Sequence, residues 1–267
     1  MPTPDPTRCL AEIVQIAREA GRCILRYCAA PGGGIPLAGA CLPCKADASP
    51  LTLADLAAHD AIAQRLRARW PQLAVVSEED AGSHAAAAGA AYWLVDPLDG
   101  TKEFLAGTGE FTVNIALVQE GRVRCGVVLA PALDLAYWGG AGLGAERDAG
   151  GRVSAIRVEP GERSCPRVVA SRRHMNAATE RFIAALGPHE LVQAGSSLKF
   201  CRVAEGSADV YPRLAPTHEW DTAAAQAVVE GAGGQVCTLD GAALRYGKPG
   251  LRNPDFVAWA HAPRLSR

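Results

Sequence analysis

Residues 93–104 have the sequence WLVDPLDGTKEF, in which a short apolar run leads into two aspartates three positions apart. An Asx-type turn after a strand is one explanation for Asp96 and Asp99. Their neighbours favour a second one, since Pro97 fixes φ and stiffens the turn, while Gly100 lets the backbone approach a ligand closely. Carboxylates held in this way suit a hard cation, which takes oxygen ligands. The stretch therefore predicts a cation site at the end of a buried strand.

The same stretch argues against a covalent aspartyl phosphatase. Those enzymes also have an apolar strand followed by D-x-D-G-T, but here the residue two positions before Asp99 is Pro97. Because that nucleophile is missing, we interpret Asp96 and Asp99 as metal ligands and not as covalent participants.

Other acidic residues stand at the ends of other predicted elements. Glu78 and Glu79 follow a short apolar run, and a solvated acidic loop would explain them equally well in isolation. Asp221 precedes a predicted helix, where an acid stabilises the N-terminus by ~0.3–1 kcal/mol without any further role. Three acidic clusters on separate elements are, however, what a metal centre built from distant segments requires. Asp47 has no simple structural role of this kind.

Hydrophobic periodicity predicts an α+β or layered α/β chain with a sheet in each half. The predicted helices span about 7–28, 52–70, 176–186, 197–205 and 222–230, and an antiparallel meander spans 111–139. A glycine-rich interval at 139–151 is the expected boundary. We expect residues 1–150 to form an N-terminal half with an antiparallel sheet and most of the metal ligands. Residues 151–267 would form a smaller mixed-sheet half with Asp221 and the substrate pocket.

The composition is that of a globular protein. The 267 residues include 49% hydrophobic residues and carry a net charge of −1, so we expect a sizeable core. We find no Lys/Arg run that would suit nucleic acid or an anionic membrane, no signal-peptide pattern and no apolar run near the roughly 20 residues of a membrane span. We expect a cytoplasmic protein with no visible membrane anchor and no implied protein partner. Peripheral association with the cytoplasmic face of the inner membrane stays open as an alternative.

The nine cysteines are odd in number and widely scattered, which argues against a disulfide framework. Cys41 and Cys44 are the only close pair. No second pair or nearby histidine completes a zinc site, and the Gly/Pro-rich surroundings do not suit a redox motif. We expect reduced, structural thiols.

The motifs SEED (77–80), DPLDGT (96–101) and WDTAA (220–224), in this order, resemble those of the lithium-sensitive, magnesium-dependent phosphatases of the inositol monophosphatase superfamily. The resemblance covers about residues 45–238. Three more stretches resemble its 3′(2′),5′-bisphosphate nucleotidase branch, namely DASPLTLAD (47–55), DGTKEF (99–104) and GSSLKFCRVAEGSADVYPR (195–213). Inositol monophosphatases usually have T-N-F after D-G-T, where this chain has Lys102-Glu103-Phe104.

The resemblance implies a layered αβαβα fold with a site between the halves and two or three Mg²⁺ ions. The metal ligands that it implies are Glu78, Asp96, the carbonyl oxygen of Leu98, Asp99 and Asp221, with Glu79 next to them. Asp47 and Thr101 match the pair that orients and deprotonates the attacking water. Gly100 and Thr101 also match contacts to the scissile phosphate.

The function that the resemblance implies is hydrolysis of the 3′-phosphate of adenosine 3′,5′-bisphosphate, and of its sulfated analogue, in sulfate-assimilation turnover. Our hypothesis for the reaction is in-line attack by water without a phosphoenzyme. The uncleaved phosphate needs a cationic pocket, for which the candidates are Lys199, Arg213, Arg172, Arg173 and His174. Ser196 and Asp221 are further candidates for contacts to the substrate. An inositol or sugar phosphatase with the same metal centre is the alternative. A catalytically inactive relative that only binds nucleotide is a third interpretation.

Overall fold

The computed structural model describes residues 4–28, 51–159, 161, 163–170 and 175–261, and the backbone of 41–42. The helices are α1 (Pro6–Leu25), α2 (Leu53–Arg69), α3 (Thr101–Leu105), α4 (Ala177–Ala185), α5 (Leu198–Ala204) and α6 (Ala223–Gly231). The strands are β1 (Cys41–Leu42), β2 (Leu51–Thr52), β3 (Ala74–Ser77), β4 (Ala91–Asp99), β5 (Thr112–Gln119), β6 (Arg122–Ala130), β7 (Leu135–Gly140), β8 (Gly144–Ala149), β9 (Arg152–Ile156), β10 (Arg167–Ala170), β11 (Glu190–Gln193), β12 (Val210–Arg213), β13 (Gln235–Thr238) and β14 (Phe256–Trp259).

Two sheets organise the described residues, beside the short β1–β2 pair. The larger has seven strands in the order β3-β4-β5-β6-β7-β8-β9, and the smaller has five in the order β11-β10-β12-β14-β13. The predicted meander is confirmed, because β5, β6 and β7 pair antiparallel. The larger sheet departs from the antiparallel prediction only at β3, which pairs parallel with β4. The smaller sheet is mixed, as predicted.

The layers follow from strands that are buried on both faces. Along β4, Trp93 and Val95 pack in the core under α1 and α2. Tyr92 and Leu94 pack on the opposite face, in a core shared with α5, α6 and the smaller sheet. Alternation along a strand places side chains in this way. The smaller sheet covers α5 and α6, and α4 packs on its far face. The result is the five-layered αβαβα arrangement.

The start of helix α2 is set by its local sequence. Thr52 accepts a hydrogen bond from the Asp55 backbone N–H at 3.4 Å, and the Asp55 carboxylate accepts from the Thr52 N–H at 2.8 Å. This reciprocal pair is a capping box, which satisfies backbone donors that the first turn leaves free. Both residues are buried, so the start of α2 is fixed beside the larger sheet.

Several boundaries differ from the sequence-based expectation. Strand β4 continues beyond the apolar run at 93–95 and ends at Asp99, with a register shift between Asp96 and Asp99. The larger sheet runs through the glycine-rich interval to Ile156, and the smaller sheet begins at Arg167. The division of the chain into two domains stays a prediction. Among the described helices, none combines the length and apolar character needed to cross a bilayer.

Candidate metal centre

Strand β4 delivers the two aspartates through its irregular end. Asp96 is 1% exposed and follows Tyr92 and Leu94 in the alternation towards α5 and α6. Its Oδ1 accepts a hydrogen bond from the Leu98 N–H at 3.1 Å. The Asx-type turn considered from the sequence is therefore present, and it holds the Asp96 carboxylate inside the layer between the sheets. The turn gives Asp96 a structural role and at the same time leaves its carboxylate next to those of Glu78 and Asp221.

Three carboxylates from distant segments meet at this position. Glu78, Asp96 and Asp221 each have an oxygen within 4.8 Å of the other two. Glu78 directly follows β3, and its N–H donates to the Val95 carbonyl of the neighbouring strand at 3.1 Å. Asp221 lies in the turn before α6 and is half-buried. The convergence that the three acidic motifs predicted is present.

Electrostatics show that this cluster suits a cation. Burial raises the pKa of Asp221 well above its usual range, and the nearby charges of Asp99 and Glu78 raise it further. Carboxylates that repel one another in a partly buried site gain from a positive ion between them. Because the donors are all oxygens, the residues present fit a hard divalent cation such as Mg²⁺.

The residues after Asp96 form a tight turn into α3. The Thr101 hydroxyl lies 3.5 Å from the Leu98 carbonyl oxygen, while the Leu98 side chain is buried in the core below α1 and α2. Gly100 has φ +89°, and a Cβ there would lie 3.2 Å from the Ser196 Cβ. Glycine is needed for both the left-handed conformation and this close approach. The Asp99 Oδ2 accepts a hydrogen bond from the Ser197 hydroxyl at 2.8 Å.

A contact between two tilted aromatic rings connects two of the acid-bearing turns. The Nε2 of His84 lies 2.9 Å from the carbonyl oxygen of Ser77, the residue before Glu78. The His84 ring contacts Trp220, the residue before Asp221, with ring centroids 5.0 Å apart. His84 therefore connects the turn that carries Glu78 with the turn that carries Asp221.

The turn before α6 has its own buried anchor. The Glu219 carboxylate is fully buried and accepts backbone hydrogen bonds from Gly247 at 2.7 Å and Lys248 at 2.9 Å. The Lys248 ammonium pairs with it at 2.7 Å. The Asp221 Oδ2 accepts from the His218 N–H at 2.8 Å. Glu219 thus has structural partners, and Asp221 is the acid of this motif that faces the cluster.

Two cationic side chains lie beside the acids. Lys199 is 6% exposed, donates to the Ser196 carbonyl oxygen at 2.6 Å and lies 5.6 Å from the Tyr211 ring centroid. Burial lowers its pKa to about 8. The Arg213 guanidinium donates to the Pro216 carbonyl at 3.1 Å, and its buried Nε has no hydrogen-bond partner in the described part of the chain. Lys199 and Arg213 are close enough to interact electrostatically with each other.

Some predicted residues fall outside the described part, namely Asp47, Arg172, Arg173, His174, Cys44 and the side chain of Cys41. Sequence reasoning missed the polar residues Asn114 and His84. Asn114 interrupts the otherwise apolar run VNIALV at 113–118, and a single amide in a buried strand is the signal that could have revealed it. His84 sits in an alanine-rich segment and gives no comparable signal.

Comparisons with known proteins relate the whole chain to one family. The model of the inositol monophosphatase family matches residues 5–265. The 3′(2′),5′-bisphosphate nucleotidase CysQ of Escherichia coli K12 is 42% identical over 249 residues, which are 92% of this chain and 98% of the relative.

Solved structures show the same relationship. The crystal structure of CysQ from Bacteroides thetaiotaomicron has a TM-score of 0.80 at 39% identity, with 94% of this chain and 96% of that chain covered. Mycobacterium tuberculosis SuhB shares the fold, with a TM-score of 0.72 at 22% identity over 97% of this chain and 93% of that chain. From its fold, its acidic motifs and these matches, the chain belongs to the inositol monophosphatase family.

Proposed function

We propose that the protein is a 3′(2′),5′-bisphosphate nucleotidase, which hydrolyses the 3′-phosphate of adenosine 3′,5′-bisphosphate to give AMP and phosphate, and acts likewise on the sulfated analogue. The observation that carries this proposal is the meeting of Glu78, Asp96 and Asp221 beside the buried cation of Lys199. The identity with the Escherichia coli CysQ nucleotidase over nearly its whole length supports the choice of substrate.

We propose Mg²⁺ as the cofactor, with two or three ions and sensitivity to lithium. The proposed ligands of these ions are the carboxylates of Glu78, Asp96, Asp99 and Asp221 and the carbonyl oxygen of Leu98. Bound there, Mg²⁺ supplies Lewis-acid stabilisation of the negative charge on the phosphate oxygens. The carboxylates contribute by being preorganised, since the turn at Asp96 and the Ser197 contact to Asp99 fix their directions before any ligand binds.

The chain's own residues would handle the attacking water. We propose that the Thr101 hydroxyl accepts a hydrogen bond from this water and that Asp47 takes up the proton relayed through the hydroxyl. Thr101 is suitably placed because it begins α3 directly after the turn that bears both aspartates. The backbone at Gly100 and Thr101 would contact the scissile phosphate, which the absence of a side chain at Gly100 allows.

The second phosphate would be recognised by Lys199 and Arg213, with Ser196 as a further donor. We also propose that His174, which lies outside the described residues, contacts the adenine or ribose. A buried ammonium and a guanidinium with an unpartnered Nε both gain from an anionic ligand. A substrate with only one phosphate forgoes these contacts. The pocket therefore favours a bisphosphate over inositol 1-phosphate.

The experiment measures phosphate release by the purified protein with Mg²⁺ from adenosine 3′,5′-bisphosphate, inositol 1-phosphate and fructose 1,6-bisphosphate. We expect kcat/KM for the nucleotide to exceed that for inositol 1-phosphate by at least about tenfold, since a charge-assisted contact is worth about 1.5–3 kcal/mol. Fructose 1,6-bisphosphate also carries a second phosphate, so a higher kcat/KM for the nucleotide than for this sugar would show that the nucleoside is recognised as well. A preference for the inositol or sugar phosphate would establish the alternative function instead. Binding of the nucleotide without phosphate release would establish an inactive relative.

We also propose that the protein acts in the cytoplasm, in sulfate assimilation. Cells that lack the protein should then accumulate adenosine 3′,5′-bisphosphate when they grow on sulfate. An unchanged nucleotide pool under these conditions would argue against this role.

A further inference from the structure

Ser197 occupies the position before α5 where a serine ordinarily caps a helix. Such a residue accepts a hydrogen bond from a backbone N–H of the first turn. Here the side chain makes no capping bond. Its hydroxyl lies instead 2.8 Å from the Asp99 Oδ2, 3.1 Å from the Asp221 carbonyl oxygen and 3.0 Å from the Asn114 Nδ2. The hydroxyl therefore contacts the Asp99 carboxylate and the backbone of Asp221, next to the acidic cluster, and not its own helix.

Asn114 is the residue that orients this hydroxyl. It is 1% exposed, lies in β5 directly opposite Asp96 of β4, and donates from Nδ2 to the Ser197 Oγ. Its Oδ1 has no hydrogen-bond partner among the described residues. Burying an amide with one unsatisfied atom is costly compared with an apolar side chain in the same strand. The hydrogen bond to Ser197 is the interaction that the amide makes at this position and that an apolar side chain could not make.

Proton counting gives the contact a direction. A serine hydroxyl has one proton to donate, and the Asn114 N–H already occupies one of its lone pairs. The proton must then point to Asp99 or to the Asp221 carbonyl oxygen. The carboxylate is both charged and nearer, so it is the stronger acceptor. The hydrogen bonds run from Asn114 through Ser197 to Asp99.

This chain of contacts crosses between layers. Asn114 and Asp99 lie on the larger sheet, whereas Ser197 and Asp221 lie in the segments that precede α5 and α6. Asp99 and Asp221 are like charges that repel each other. A fixed donor between them restrains the Asp99 carboxylate, which would otherwise be free to rotate away from Asp221.

We propose that Ser197, oriented by Asn114, is a positioning residue that holds the Asp99 carboxylate towards Asp221, so that the two can share a divalent cation. The inference rests on the proposed function insofar as it treats the acidic cluster as a cation site. It adds a requirement for cation binding. Without the Ser197 hydroxyl and the Asn114 amide, an intact set of acids would bind the ion poorly.

The test is calorimetric titration of the substrate-free protein with Mg²⁺. The variants are Ser197→Ala, Ser197→Cys, Asn114→Ala and the double variant Ser197→Ala/Asn114→Ala. Ser207→Ala is the matched control, because Ser207 also donates to a carboxylate, that of Glu205, away from the cluster. Thermal unfolding of each variant in EDTA reports whether it folds.

We expect Ser197→Ala to raise the Kd for Mg²⁺ about tenfold, as for the loss of a hydrogen bond to a charged group. The Kd of Ser197→Cys should lie between those of the wild type and Ser197→Ala, because a thiol is a weaker donor than a hydroxyl. Asn114→Ala should raise the Kd about threefold, and the double variant should match Ser197→Ala, because the amide acts through the hydroxyl. Ser207→Ala should bind Mg²⁺ as the wild type does.

Wild-type Mg²⁺ affinity in Ser197→Ala and Ser197→Cys would overturn the proposal, and so would losses that simply multiply in the double variant. Nucleotidase activity is measured separately. If the wild type binds Mg²⁺ with this variant pattern but does not release phosphate from adenosine 3′,5′-bisphosphate, the proposed function fails and the positioning role stands. If the wild type is an active nucleotidase and Ser197→Ala binds Mg²⁺ normally, the positioning role alone fails.

Discussion

Replacing Asp221 with asparagine should stabilise the metal-free protein while it removes cation binding. Asp221 has a carboxylate oxygen within 4.8 Å of oxygens of Glu78 and Asp96. At that distance two like charges repel by about 3.5 kcal/mol in an effective dielectric of about 20, and water around the half-buried side chains reduces this value. Asparagine keeps the shape and an oxygen that can accept from the His218 N–H. We expect Asp221→Asn to be more stable by about 1–2 kcal/mol, or a Tm higher by about 2–8 °C.

The dependence of this difference on pH follows from the direction of the pKa shift. Folding raises the pKa of Asp221 above its usual value of 3.8. Below 3.8 the carboxyl is protonated in both the folded and the unfolded chain, so it adds no repulsion. As the pH rises above 3.8, the unfolded chain ionises first, and the wild type loses stability until the folded-state pKa is passed. The advantage of Asp221→Asn should therefore be absent below pH 3.8 and should grow as the pH rises, until the folded-state pKa of Asp221 is passed.

The assay is differential scanning calorimetry of wild type and variant in excess EDTA and in excess Mg²⁺. Mg²⁺ should raise the Tm of the wild type, by mass action, and leave that of Asp221→Asn nearly unchanged. Asp255→Asn removes the same charge from an exposed position and should change neither Tm. A variant that is less stable than the wild type in EDTA at neutral pH, or that gains as much from Mg²⁺, would refute the reasoning.

Three other changes give separate tests. Asp96→Asn should lower kcat by several orders of magnitude while the far-UV spectrum stays native, and a variant with near-normal turnover would remove Asp96 from the site. Lys199→Ala should raise KM for adenosine 3′,5′-bisphosphate about tenfold or more and affect inositol 1-phosphate less; equal losses for both would contradict the second-phosphate pocket. Because the pKa of Lys199 is about 8, its charge is lost as the pH rises through that value, and KM for the bisphosphate should rise with it. Lys199→Arg should keep KM constant to higher pH, and a wild-type profile that stays flat through this range would refute the assignment.

The sequence by itself was enough to predict the two long helices, the meander and the acidic motifs. Helix and strand patterns are local, because alternation with a period of 3.6 or 2 reports which face of an element is buried. The amphipathic pattern at 7–28 corresponds to α1, and the apolar runs at 111–139 correspond to β5, β6 and β7. The acids could be predicted to be ligands because Pro97 stiffens the backbone next to them and Gly100 leaves it open to a ligand.

The tertiary structure decided what these residues contact. Asp96 and Asp221 are 125 positions apart in the chain, and their meeting depends on how α6 packs against the larger sheet, which no local pattern encodes. The continuation of β4 to Asp99 depends on pairing with β5, since the extended backbone there needs a neighbouring strand. The sequence predicts a helix at 197–205, which does not indicate a partner for the Ser197 side chain. Only its position between Asn114, Asp99 and Asp221 shows that its hydroxyl faces the Asp99 carboxylate and the Asp221 backbone carbonyl, because a side chain's partners are set by the packing of layers and not by its neighbours along the chain.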